Sequence, residues 1–243
     1  MLSRKTKDKI KRKIEFIKLF LSSETNHLKK DVSLKKKWFG NDYGGFLVAT
    51  EFLNRDSIVY SFGVGEDISF DTEIIEKYNC MVFGFDPTPK SINWVKSNQL
   101  SQNFKFFDFG IGDTTKTDFF YFPKNPDFVS GSTVEQSNIN LDRKIEVQLK
   151  TLNDTMSLLE HKKVDVLKMD IEGAEYKVLE NILDSDIEIG QILVEFHDRF
   201  FPNGKQKTID ILEKLKAHGF LVFGISETYD EISLINKNLI KSK

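Results

Sequence analysis

The sequence predicts an α/β protein whose sheet is mainly parallel, and three strand-end junctions carry that prediction. Each takes an apolar run of strand length into glycines or acids and then into a helical pattern. The first reads Ile58-Val59-Tyr60-Ser61-Phe62-Gly63-Val64-Gly65-Glu66-Asp67, and the second is Met81 to Phe85 ending in Asp86. The third is Val166-Leu167-Lys168-Met169-Asp170-Ile171-Glu172-Gly173-Ala174-Glu175. Open α/β sheets bind their ligands outside the carboxyl ends of the strands. Three such ends in one chain point to a single nucleotide-like cofactor.

Residues 5 to 21 set Ile10, Ile14, Ile17 and Phe20 or Leu21 at helical spacing among Lys and Arg, which predicts a basic amphipathic helix. Such a helix packs on the body or on a partner subunit, or lies peripherally on an anionic membrane surface. Residues 22 to 45 are polar and read as irregular. They end in Trp38-Phe39-Gly40-Asn41-Asp42-Tyr43-Gly44-Gly45, whose glycines let a loop fold closely over a ligand. The main domain is expected from about residue 41, after an N-terminal extension over 1–40. Strands over 57–62, 81–86 and 103–109 then alternate with helices around 69–79 and 90–98.

Two alternating segments, Thr117 to Phe122 and Lys144 to Lys150, flank a loop holding Pro123, Pro126, Ser130 and Gly131. They predict an antiparallel insertion over about 117–150 at the ligand edge. A helix around 151–161 leads to a strand over 164–170, and the helix after Gly173 sets Val178, Leu179 and Ile182 on one face. A strand over 189–196 ends in Glu195-Phe196-His197. After a helix around 205–218 the chain turns at Gly219 into strands 220–225 and 231–236, whose short connection favours an antiparallel pair.

With 243 residues and 40% apolar content the chain suits one large core. The net charge of -2 hides an asymmetry: residues 1 to 37 hold 13 Lys/Arg against 4 Asp/Glu, net +9, leaving 22 against 33, net -11. An acidic body repels phosphate backbones, which argues against nucleic acid as a partner. The single cysteine, Cys80, excludes an internal disulfide, favours a reducing cytosol and is expected to pack beside the second strand. No run approaches the ~18 apolar residues of a membrane-spanning helix, and no small-residue cleavage site marks a secretory signal. The expectation is a soluble, cytoplasmic protein with no transmembrane segment.

Gly63-Val64-Gly65 follows a strand and precedes a helical stretch, so its backbone can approach a cofactor closely. The third glycine of a dinucleotide fingerprint is absent, because Ile68 holds that position, and no phosphate-binding Walker loop occurs. A cofactor without pyrophosphate is favoured. Asp86 follows Gly65 by 21 residues at a strand end, where an acid accepts hydrogen bonds from a ribose diol or caps the next helix. Gly110-Ile111-Gly112-Asp113 can border an adenine ring, with Asp113 the weaker member and a turn its alternative use.

Asp170 and Glu172 stand two apart, and in an extended backbone such positions share a side. They are suited to steady a cationic group, orient a hydroxyl or bind a divalent cation, with helix capping by Glu172 as the bland alternative. His197, one of four histidines, is the candidate general base, set against a structural role in a surface network with Asp198 and Arg199.

These segments together resemble the FkbM-type family of S-adenosylmethionine-dependent methyltransferases. The likeness runs through Phe62 to Asp67 with Ser69-Phe70-Asp71, Phe83 to Pro89, and Val166 to Glu175. It includes Tyr43-Gly44-Gly45, Pro123-Lys124-Asn125-Pro126, Val129 to Ser132 and Val194 to His197, about residues 40 to 225 in all. Lys168-x-Asp170-x-Glu172-Gly173-Ala174-Glu175 is its most specific part. The resemblance implies a class I, Rossmann-like methyltransferase fold of seven strands with the last antiparallel.

It further implies that Gly63 and Gly65 border the cofactor's methionine part, Asp86 its ribose, and Gly110 and Ile111 its adenine, that Asp170 and Glu172 line the reacting end, and that Phe62, Val64, Glu66 and Pro87 are cofactor-binding as well. Tyr43 and Gly44 join this cofactor-binding set, and Asp170 belongs both to it and, with Glu172 and His197, to the catalytic set. No metal ligands are assigned. Many relatives begin the first loop with an acid in Asp-x-Gly-Ala-Asn-x-Gly; here that contact is expected from Glu66 or Asp67. Members of the family often methylate hydroxyls of sugars, glycans or natural products, so O-methylation of a small-molecule or glycan acceptor is the leading expectation. The competing readings are a nicotinamide-dependent (NAD) oxidoreductase, and a non-catalytic scaffold that uses its basic start on an anionic glycan, lipid or nucleic acid.

Overall fold

A computed structural model describes residues 28–124, 131–134 and 139–241. The helix expected over 5 to 21 lies outside the described residues. The described chain opens with an antiparallel hairpin, β1 (Lys36–Phe39) and β2 (Phe46–Ala49), in register Phe39 against Phe46. It then alternates as expected: β3 (Ile58–Phe62), α1 (Ser69–Tyr78), β4 (Met81–Phe85), α2 (Pro89–Ser97) and β5 (Phe104–Phe107). Next come β6 (Gly110–Ile111), β7 (Lys116–Pro123), β8 (Ile139–Lys150), α3 (Leu152–Leu158), β9 (Lys163–Met169), α4 (Glu175–Leu183) and β10 (Glu188–Glu195). The chain closes through α5 (Gly204–Ala217), β11 (Phe220–Ile225), β12 (Glu231–Asn236) and α6 (Lys237–Lys241).

Seven strands form one sheet in the order β11-β12-β10-β9-β3-β4-β5, with β12 antiparallel to both neighbours and the others parallel. This is the arrangement implied by the class I methyltransferase resemblance. The central strands are buried on both faces, and their near-continuous apolar runs follow from that. Successive residues face opposite ways: Tyr60, Phe62, Leu167, Met169 and Ile192 pack on one side, Val59, Val82, Val166 and Leu193 on the other.

Local chemistry sets the helix bounds. α1 stops at Asn79, which takes the left-handed conformation and returns its N–H to Ile75. α2 starts where Thr88 accepts from the Ser91 N–H with Pro89 in the first turn, and α3 where Thr151 accepts from Asp154 N–H. Cys80 is fully buried just before β4.

Two expectations need correction. Residues 36–39 are a strand, hidden in the sequence because Lys36 and Lys37 dilute the alternation that Phe39 anchors. The domain boundary placed near residue 40 therefore falls inside a hairpin whose Phe39, Phe46 and Val48 are buried in the core. Asp31 reinforces the docking: its backbone N–H donates to Val222 O, and its carboxylate accepts from Val222 N–H and pairs with Lys216. The antiparallel insertion is present as β7 and β8, and β6 joins it in a three-stranded sheet of order β6-β8-β7. No helix among the described residues is long and apolar enough to cross a membrane.

Candidate functional site

A cavity of about 610 Å³ opens across the carboxyl ends of β3, β4 and β9, a size usual for a cofactor site. The loop at 43–44 and the β7–β8 ribbon form its outer walls. Tyr43, Gly44, Phe62, Gly63, Val64, Gly65, Glu66, Asp86, Pro87, Gly110, Ile111 and Asp170 line it, together with Glu172, whereas Gly112 and Asp113 do not. His197 does not line it.

The glycine loop is fixed by close approach. Gly63 has φ +80° and donates to Phe85 O, and a Cβ there would stand 1.8 Å from the Asp170 carbonyl oxygen. Gly65, at φ +59°, would meet nothing, because the cavity lies beyond it. Its N–H donates to Asp86 Oδ2 at 2.8 Å, while Asp86 Oδ1 accepts from the Thr88 N–H and hydroxyl at 2.9 and 2.7 Å. A carboxylate has about four acceptor positions, so Asp86 keeps acceptor capacity on a cavity wall. The helix cap that competed for it belongs to Thr88.

The rim loop is organised by Asn41, whose side-chain oxygen accepts from the Tyr43 and Gly44 N–H groups and whose amide donates to Asp67. Asp67 also accepts from Ser69 N–H, and Glu66 pairs with Lys90 at 2.6 Å. Both acids expected to substitute for the missing leading acid are thus engaged at the rim.

Asp170 and Glu172 converge for a reason other than strand alternation. β9 ends at Met169, Asp170 N–H bonds to Phe62 O, and the chain then turns through Glu172 at φ +55° and Gly173 at φ +102°. Glu175, 0% exposed, holds that turn by accepting from the Ile171 and Gly173 N–H groups. The N-cap position of α4 is held by Ala174.

Glu175 also binds His197 Nδ1 at 2.8 Å; a carboxylate only accepts, so Nδ1 carries the proton. Nε2 faces Glu172, Glu195 and Asp170 at 3.3, 3.5 and 3.7 Å. Burial alone would lower the His197 pKa, but the Glu175 hydrogen bond and charge, then Glu172 and Asp170, push it up to about 9. Burial, with the charge of Asp170, holds Glu195 above the usual carboxylate range.

His197, 1% exposed, is therefore an imidazolium at neutral pH. Both of its ring nitrogens face carboxylates behind the cavity wall, where Nδ1 meets Glu175 and Nε2 meets Glu172, Glu195 and Asp170. Asp170, Glu172 and His197 each bring a ligand atom within 4.8 Å of one another, the spacing a cation site requires.

Polar groups inside the cavity fit a polar ligand. Asp71 Oδ1 and Ser91 Oγ are buried without a hydrogen-bond partner among the described residues, and both residues line the cavity. Buried polar atoms are costly when unpaired, and a bound cofactor would pair them. Across the opening the ribbon contributes Phe120, Phe122, Pro123 and Arg143, whose guanidinium lies 5.7 Å from the Phe122 ring. Ser132 Oγ donates to Glu172 O at 2.6 Å and ties this wall to the acidic turn. Sequence reasoning passed over Glu175, Lys168, Asp71, Ser91 and Arg143 as site residues.

Comparison with known proteins now decides the family. The methyltransferase FkbM domain model matches residues 57–222. The chain belongs to the FkbM methyltransferase domain family. It is similar to the probable methyltransferase-like protein 24 of human, 26% identical over 198 residues, and to that of rat, 25% identical over 198 residues. Each match covers 77% of this chain and 47% of the relative, so the chain spans about half the length of those relatives. Among solved structures, a Methanococcus jannaschii fibrillarin pre-rRNA processing protein matches with 13% identity and a TM-score of 0.44, covering 75% of this chain and 66% of that one. An Aeropyrum pernix fibrillarin with bound S-adenosyl-L-methionine matches with 9% identity and a TM-score of 0.44, covering 86% and 85%. These two likenesses are too remote to bear on substrate or mechanism.

Proposed function

We propose that this FkbM-family chain is an S-adenosylmethionine-dependent O-methyltransferase acting on a hydroxyl of a sugar, glycan or related metabolite. The observation that carries the reading is the cavity itself: Asp86 forms one flank, the acidic turn of Asp170 and Glu172 the other, and the positive-φ glycines lie between them. The residues fit the cofactor. Asp86 has acceptor capacity for a ribose diol, Gly65 leaves open space, and the acids suit a cationic sulfonium.

When bound, S-adenosylmethionine supplies an electrophilic methyl group, which is the difficult part of the chemistry. The chain's task is alignment and proton handling. Asp170 and Glu172 accept the hydrogen bond of an acceptor hydroxyl and hold its proton as the oxygen is methylated. His197 and Glu175 keep those carboxylates in place, and the ribbon's Phe120 and Phe122 exclude water and offer apolar faces to a sugar ring.

Calorimetric titration with S-adenosylhomocysteine tests the cofactor, with NAD as the control. We expect saturable binding of the first and none of the second. Absence of binding at saturating concentration overturns the proposal. Methyl transfer to a panel of hydroxyl-bearing saccharides then tests the acceptor class, and transfer confined to amines would refute it.

A further inference from the structure

Resting on the cofactor reading above, we infer that Asp71 and Lys168 form a charge pair that binds the amino-acid end of the cofactor, Asp71 taking its ammonium group and Lys168 its carboxylate. Both side chains line the cavity, both are almost fully buried, and they carry opposite charges, as a zwitterionic ligand requires.

The Lys168 ammonium donates to Gly63 O at 2.8 Å and reaches Phe62 O at 3.4 Å, which fixes it beneath the glycine loop. An ammonium has three donors, so one remains for an anionic group. Asp71, on the first turns of α1, is 2% exposed, and its Oδ1 has no hydrogen-bond partner among the described residues. Burial raises its pKa; the Lys168 charge and then the Ser61 hydroxyl oppose that rise. An interior carboxylate oxygen left without a donor is unfavourable in the empty protein. A ligand ammonium supplies both the donor and the charge.

The first loop explains why an acid is required from elsewhere. Two residues before Gly63, where relatives carry their leading acid, this chain has Ser61, small and fully buried. Glu66 is paired with Lys90, and Asp67 is bonded to Asn41 and Ser69. Asp71 reaches the same region from the following helix, so the carboxylate has moved from the strand to the helix while staying beside the loop.

The test compares S-adenosylhomocysteine with 5′-methylthioadenosine, which keeps the adenosine and thioether and lacks the amino-acid portion. Affinities are read by calorimetry for the wild type and for Asp71→Asn. We expect the variant to bind S-adenosylhomocysteine at least about tenfold more weakly, the loss of one charge-assisted hydrogen bond, and 5′-methylthioadenosine as tightly as the wild type does. The unchanged second ligand also reports that the variant is folded. Equal loss for both ligands, or for neither, overturns the inference.

If Asp71→Asn does not fold, the wild type is titrated with the S-adenosylhomocysteine analogue whose amino group is replaced by hydrogen. A penalty of about tenfold is expected, and equal affinity overturns the pairing. Failure of the wild type to bind either adenosyl ligand sinks the cofactor reading instead, so the two failures are distinguishable.

Discussion

Asp86 shows how much one carboxylate can carry. It bonds to Gly65 N–H and to Thr88, and it presents its remaining acceptor capacity to the cavity. Asp86→Ala is expected to weaken S-adenosylhomocysteine binding by about 10- to 100-fold, the value of a hydrogen bond to a charged group. Calorimetry gives the number, and unchanged affinity contradicts the ribose assignment. This residue was legible in the sequence because its distance from Gly65 and its place at a strand end are both written there. Glu175, Lys168 and Asp71 enter the sequence reading only as parts of the family resemblance, with no role of their own. A charge in a helical or strand pattern reads as solvated, and only the packing of α1 and α4 against the sheet shows these three to be interior. His197 was legible as a residue of chemical interest, but its raised pKa depends on three acids, of which Glu175 arrives from α4 and Asp170 and Glu172 from the turn after β9.

At the scale of elements, continuity of the apolar pattern decided what the sequence revealed. Strands 220–225 and 231–236 match β11 and β12 because the first is apolar almost throughout and the second carries Ile232, Leu234 and Ile235, with a short turn between them. The β1–β2 hairpin was missed because its pattern is short and half lysine, and its docking depends on a long-range contact. Gln191, fully buried on β10, receives the Ala49 N–H at 2.9 Å and donates to Ala49 O at 3.2 Å, so one side chain satisfies both groups of a residue 142 positions away. Gln191→Leu keeps the volume and strands both backbone groups. It is expected to lower the unfolding free energy by about 1–3 kcal/mol in urea denaturation. A change under about 0.5 kcal/mol would show that water replaces the bonds.

At the scale of the whole molecule, the acids that gather at the carboxyl edge tie stability to pH. Asp170 and Glu172 come from the turn after β9, Glu195 and His197 from the end of β10, and Asp230 and Glu231 from the start of β12. Burial pushes Asp230 up to about 6 and raises Glu195, while His197 stands at about 9 against its ordinary 6.5. All three shifts are upward, so across this range the folded protein holds more protons than the unfolded chain, and stability falls as pH rises. For His197 the contribution is fully present below pH 6.5 and is lost as pH rises through about 9. The shift corresponds to roughly 3 kcal/mol at most. His197→Gln keeps a hydrogen-bonding side chain and removes the titration. The gap in unfolding free energy between wild type and variant is therefore expected to be widest near pH 6 and to narrow steadily towards pH 9.5. Urea denaturation at several pH values measures it. A gap that stays constant across that range would mean that His197 is neutral in the folded protein.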